Sequence, residues 1–193
     1  MNDTILNFAH HTFDLVSNLD FCKKYPIDRN RELKIRSALY VIQDTQLVIN
    51  LYLVRNINQV AELSNHLEKK AMNYLIVYGI LHALYMQQDA LISLCEAFDI
   101  FNKSVVLENK SFAEIRKIRN SSTGHPSNRR DEGKSFISQM SVGQYYFQYV
   151  DVKGGESELV DVDIKSLAQQ QVTEISIFLE KIANRLSDME NKL

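Results

Sequence analysis

Arg119, Asn120 and His125 lie within one short stretch of the chain, and their types suit proton transfer beside an anion. An imidazole ordinarily titrates near pH 6.5 and can take or give a proton at neutral pH. A guanidinium stays charged and matches phosphate oxygens with a two-pronged fork. Asn120 adds an amide that can bind the same phosphate or fix the imidazole. Arg116, Lys117, Arg119, Arg129 and Arg130 crowd the same segment, and no acidic residue interrupts it between Arg116 and Arg130. In a chain of net charge -2 this is a local positive patch, which composition alone equally allows to be a solvated surface with counterions. Arg116, Arg129 and Arg130 are the candidates for gripping a substrate. A base, a phosphate clamp and no required metal together suit cleavage of RNA by its own 2'-hydroxyl. The missing carboxylate cluster agrees with that choice over a two-metal nuclease.

The pair needs a bend in the backbone. On an unbroken helix two residues six positions apart point roughly 240° away from each other. A helix that stops at about Asn120, followed by a tight turn, folds His125 back beside Arg119. Gly124 can adopt a positive φ there, and Pro126 holds His125 extended. Ser111-Phe112-Ala113-Glu114 has the form of a capping box, so the preceding helix is expected to start at Ser111.

Positioning that turn falls to a largely helical chain of 193 residues, read as a single domain spanning 1–193. Only Gly79 and Pro26 break the sequence before Gly124, whereas the last seventy residues hold five glycines and Pro126. An N-terminal helix is expected over 1–25, with Ile5, Phe8, Leu15 and Leu19 on one face. Bundle helices are expected over 28–123. The first of these is capped by Asp28 and carries Ile35, Leu39, Ile42 and Ile49. The next runs from about Leu67 to Phe98 with Ile80, Ala83, Leu91 and Leu94 on its stripe. Gly79 within it would allow a close helix contact. Aromatic and β-branched runs between glycine turns predict a small antiparallel meander over 135–163. A long last helix over 164–191, capped by Asp163, closes the chain.

Hydrophobic residues make up 45% of the chain and charged residues 24%, enough apolar material for a real core. Two cysteines, Cys22 and Cys95, make no disulfide framework. The five histidines are scattered with no ligand spacing, so no metal and no cofactor is expected. The N-terminus lacks the basic-then-apolar pattern of a signal peptide. His82, Gln87, Gln88 and Asp89 interrupt the most apolar stretch, which argues against a membrane span. A cytoplasmic protein is expected.

Arg119-Asn120, four residues and His125, preceded by Ile115-Arg116-Lys117-Ile118 and closed by Gly124-His125-Pro126, resembles the R-x(4–6)-H motif of the HEPN superfamily. The resemblance covers Asp28 to Leu193. It implies a mainly α, HEPN-like four-helix bundle, here with an extra N-terminal helix and a small β insertion before the last helix. It also implies a homodimer, and a metal-independent endoribonuclease of the toxin–antitoxin or abortive-infection kind, with RNA as substrate and an antitoxin or regulatory protein as a further partner. Arg119, Asn120 and His125 are then the catalytic set. Transesterification needs both a base and an acid, and a two-fold dimer would bring two such pairs into one cleft. The alternative is a catalytically silent member that binds nucleotide, RNA or a protein. One branch of the family is silenced on a tyrosine two residues after the histidine. Ser127 stands there instead, so that control is not implied.

Other residues read more plainly. His82 and Cys95 fall on or beside the apolar stripe and are expected in the core, with a ligand or nucleophile role as the alternative. Gln87, Gln88 and Asp89 form a polar cluster expected at a solvated edge, with lining of the bundle end near the active turn as the alternative, and His10-His11 is expected at the surface. Tyr145, Phe147 and Tyr149 share one face of an expected strand, which packs onto the bundle or a dimer mate or, as the alternative, stacks bases.

Overall fold

The computed structural model describes residues 4–17, 27–54, 65–123, 135–139, 141–153 and 156–191. Six helices and three strands follow in the order α1 (Thr4–Ser17), α2 (Arg29–Val54), α3 (His66–Phe98), α4 (Lys103–Leu107), α5 (Lys110–Ser122), β1 (Ser135–Ile137), β2 (Tyr146–Lys153), β3 (Glu156–Asp163) and α6 (Ile164–Asn191). The chain is thus mainly helical, with a small sheet before its last helix, as the pattern of breakers predicts.

The helix starts are chemically marked. Asp28 Oδ1 accepts from the Arg31 amide at 2.8 Å, and Asp163 Oδ1 from the Ser166 amide at 3.0 Å, so both expected caps hold. Asn65 caps α3 in the same way. The α5 cap differs from expectation. It is Asn109, whose side chain accepts from the Phe112 amide at 3.2 Å, and the helix begins at Lys110. Asn109 Nδ2 also donates to Glu174 Oε2 on α6 at 2.8 Å. That tertiary bond favours the earlier start over the box at Ser111.

Helices α2 and α3 run antiparallel, because Lys34 pairs with Glu96 while Gln46 meets Gln87. With α5 and α6 they enclose two apolar clusters. One gathers Ile35, Leu39, Leu91, Leu94, Phe112 and Leu179 beneath Ile5 and Phe8 of α1. The other gathers Ile49, Tyr52, Leu81, Leu84, Ile115 and Ile118 beneath the sheet. Burying each such side chain stabilises the fold by roughly 1.5–3 kcal/mol before entropy.

A layer of glutamines lies between the clusters. Gln87 Nε2 donates to Gln46 Oε1 at 2.9 Å. Gln171 Nε2 donates to Gln87 Oε1 at 2.9 Å and to the Leu84 carbonyl at 2.8 Å, and Gln88 Nε2 donates to Gln171 Oε1 at 2.7 Å. Gln87 and Gln88 are fully buried, so the solvated edge expected of them is corrected. Three helices contribute complementary donors and acceptors to these amides, and Gln88 Oε1 is left without a hydrogen-bond partner among the described residues.

Helix α3 is long and apolar enough to meet the length and composition test for a membrane span, yet 56% of the relevant window is buried inside the bundle. Its apolar surface is that of a central core helix. Among the described residues no helix approaches Gly79 closely: it is exposed, and a methyl group placed there would meet none of them within 4 Å.

The sheet is an antiparallel meander, β1-β2-β3, with Ile137 opposite Tyr149 and Phe147 opposite Val162. Phe147 and Tyr149 are buried against the helices, as expected. Tyr145 packs edge-on to Tyr52 at 5.6 Å. Tyr52 Oη donates to the Gln144 carbonyl and Asn73 Nδ2 to the Val142 carbonyl, which ties the approach to β2 onto α2 and α3.

Candidate anion site at the end of helix α5

Phe112, Ile115 and Ile118 recur every three residues along α5 and are buried, which fixes the rotation of the helix. Arg116 and Arg119 are then carried together toward α3. Both guanidinium carbons lie 4.6 Å from the centroid of the Tyr85 ring. An aromatic face attracts cations, and this one serves two of them. Asp89, one turn beyond Tyr85 on the same side of α3, accepts from Arg116 Nη2 at 2.5 Å. Arg119 has no carboxylate partner among the described residues. Its Nη1 donates instead to Asn120 Oδ1 at 3.0 Å.

The cluster therefore holds two guanidiniums against one carboxylate. Arg116 is neutralised and only 18% exposed in its side chain. The charge of Arg119 is offset by no carboxylate among the described residues. The Nε atoms of both arginines are buried with no hydrogen-bond partner among the described residues, so ring contact and helix packing hold the two side chains. Arg119 also sits in the last turn of α5, where the negative end of the helix dipole favours a cation.

That last turn is internally tied. Ser122 Oγ donates to the Ile118 carbonyl at 2.6 Å, and Thr123 Oγ1 and its amide both donate to the Arg119 carbonyl at 2.9 Å. Ser121 and Ser122 are buried. The helix thus ends at Ser122, two residues beyond the expected Asn120, because these hydroxyls satisfy carbonyls that would otherwise be left open. His125, Arg129 and Arg130 lie outside the described residues, as do Gly124 and Pro126. Of the candidate site residues, Arg116, Arg119 and Asn120 come together.

One member of the cluster, Tyr85, was not singled out by sequence reasoning, and Asp89 was read there only as part of a polar cluster with Gln87 and Gln88. Tyr85 and Asp89 stand four apart on α3, a spacing that places both on one side of a helix, but nothing in the sequence says that two arginines from α5 will meet them. Beside Asp89, a hollow of about 230 Å³ between α2 and α3 is lined by Lys34, Ser37, Val41, Met86 and Ser93 among others. His82 also departs from expectation: it is exposed, on the same side of α3 as Tyr85. Cys95 behaves as expected of a core thiol, fully buried and with its pKa pushed up by burial to about 11.

No protein-family model, curated protein or solved structure matches this chain.

Proposed function

We propose that the protein is a HEPN-like, metal-independent endoribonuclease that cleaves RNA by attack of the 2'-hydroxyl. The observation that carries this reading is Arg119: a guanidinium held on Tyr85, next to Asn120, with no carboxylate partner among the described residues. A cation placed and left uncompensated in this way suits a phosphodiester. His125, five residues after Asn120, supplies a proton-transfer group in the motif. In the reaction the 2'-oxygen forms a bond to the adjacent phosphorus as the bond to the 5'-oxygen breaks. One imidazole takes the 2'-hydroxyl proton and an imidazolium protonates the departing oxygen. The products are a 2',3'-cyclic phosphate and a 5'-hydroxyl end. Arg119 stabilises the extra negative charge that develops on the phosphoryl oxygens, and Asn120 orients the guanidinium.

The protein acts in the cytoplasm as a homodimer under this proposal, with an antitoxin or regulatory protein as a further partner. Leu33, Tyr40, Leu47 and Val54 recur at seven-residue intervals along α2 and are exposed. A repeat of that period is what a second helix packs against, and this supports a self-associating face. Purified protein mixed with single-stranded RNA and EDTA tests the reading. Cleavage leaving cyclic phosphate ends is expected, and its loss in Arg119→Ala and His125→Ala. Saturable RNA binding without cleavage would leave a silent binding module instead.

A further inference from the structure

We propose that the outer edge of β3 is a docking site for an extended segment of a partner protein, which joins the sheet as a further strand and carries the pattern basic–apolar–apolar–basic. The proposal stands apart from the ribonuclease reading above. β3 ends the strand order β1-β2-β3, so among the described residues it has a strand on one side only. Which of its backbone groups face outward follows from β2. The Gln148 carbonyl accepts from the Ser138 amide at 2.8 Å, on the β1 side, and the Tyr145 carbonyl accepts from the Ile164 amide at 2.9 Å, on the β3 side. Bonding alternates along an antiparallel strand, so Phe147 and Tyr149 bond β3, through Val162 and Val160. Leu159 and Asp161 therefore turn their amides and carbonyls away from the sheet. Such a row is a template for another strand.

The side chains along this edge say what kind of strand fits. Its middle is Glu158-Leu159-Val160-Asp161, and no basic residue occurs between Glu156 and Asp163. Glu158 and Asp161 are exposed and pair with no cation among the described residues. Gln148 Nε2 donates to Asp161 Oδ1 at 2.8 Å, which holds that carboxylate on the outer face of the sheet. On the same face Phe136, Val150 and Leu159 stand opposite one another across the three strands, with Phe136 52% and Leu159 58% exposed. An apolar side chain on an added strand lies against Leu159 and lengthens that row, while a basic one beside Glu158 or Asp161 forms an opposite-charge pair.

A second copy of this edge does not fit. In an antiparallel pairing that sets Leu159 of one copy against Val160 of the other, Glu158 meets Asp161 at both ends, and like charges directly opposite are destabilising. Bases at those two places turn both repulsions into attractions, and the complementary pattern reads the same in both directions. The acidic edge excludes itself and selects a basic strand by one device.

The test uses the full chain and a short end-blocked peptide with arginine-valine-tyrosine-arginine at its centre and threonines on either side. Saturable binding by calorimetry is expected, with slowed hydrogen exchange at the Leu159 and Asp161 amides and little change at Val160 and Val162, which already bond β2. A peptide with glutamates in place of the arginines is expected not to bind, nor one methylated at the backbone nitrogens that would donate to β3. Glu158→Lys combined with Asp161→Lys is expected to weaken binding about tenfold or more at an unchanged Tm. Leu159→Pro removes an outward amide without breaking a bond to β2, and is expected to abolish binding; the methylated peptide makes the same test without altering the protein. Failure of the arginine peptide to bind, equal binding of the methylated one, or binding that leaves exchange at Leu159 and Asp161 unaltered would each overturn the proposal. A dimer that Leu159→Pro turns into a monomer would make the edge a contact between copies, and would overturn it too.

Discussion

Arg116 and Arg119 rest on the same tyrosine ring, 4.6 Å from its centroid, but only Arg116 has a carboxylate of its own. Asp89 therefore sets how much positive charge the end of α5 offers to a ligand. In Asp89→Asn the Arg116 charge is released. Affinity for single-stranded RNA is expected to rise at low salt, and the plot of log K against log salt to steepen by about 0.7, the increment for one more phosphate contact on a single strand. Fluorescence titrations at several salt concentrations read that slope. An unchanged slope would mean that Arg116 does not reach the RNA.

Tyr85 makes a separate prediction, because its ring and its hydroxyl can be removed independently. Tyr85→Phe keeps the face that both guanidiniums use and is expected to retain activity within about twofold. Tyr85→Ala removes a contact worth about 0.5–2 kcal/mol to each cation. Cleavage is expected to fall roughly tenfold, with little change in melting temperature since the ring is only half-buried. If Tyr85→Phe is as damaged as Tyr85→Ala, the hydroxyl matters and the platform account fails.

Local chemistry was readable where one residue type had one available role. Asp28 and Asp163 stand just before apolar periodic runs, and both are caps. Glycines flank alternating aromatic residues, and the meander appears there. The failures share a cause: they depend on partners far away in sequence. Asn109 outcompetes the Ser111 box through a bond to Glu174. Gln87 and Gln88 are polar letters in an apolar run, indistinguishable from an edge until Gln46 and Gln171 arrive from two other helices. His82 is the converse, a residue beside an apolar stripe that stands exposed among the described residues. Arg119 and Asn120 were legible as a motif, but the ring beneath Arg119 was not, since no spacing rule links positions 85 and 119.

The glutamine layer is the structural feature most sensitive to single substitutions. Gln171 supplies two donations and one acceptance within it. Replacing it with leucine strands Gln88 Nε2 and Gln87 Oε1 in a dry interior, at about 1–3 kcal/mol for each stranded group. Gln171→Leu is expected to destabilise the protein by about 3 kcal/mol, a fall in Tm of roughly 6–12 °C for a chain of this size. Changing Gln46, Gln87, Gln88 and Gln171 together to apolar residues of matching volume is expected to recover much of that loss, because no group is left unpaired. Thermal melts of the single and fourfold variants decide it. A single variant as stable as the parent would show that the layer has another source of hydrogen bonds.

Stability at high pH follows from burial of weak acids. Burial pushes the Cys95 thiol from an ordinary value of 9.0 up to about 11, and raises the phenols of Tyr52 and Tyr74 as well. The folded chain keeps protons that the unfolded chain releases, so this contribution is intact at neutral pH. It is lost progressively as pH climbs, for Cys95 between about 9 and 11, and for the tyrosines from their ordinary value of 10.0 upward. Urea midpoints are expected to hold steady from pH 7 to 8.5 and then decline, less steeply in Cys95→Ala. A thiol reagent at pH 8 is expected to leave Cys95 unmodified in a folded Cys22→Ser protein and to label it on addition of urea, because a protonated thiol sealed in the core offers no thiolate to react. Labelling of the native protein at the rate of a free thiol would contradict the burial on which the whole alkaline trend depends.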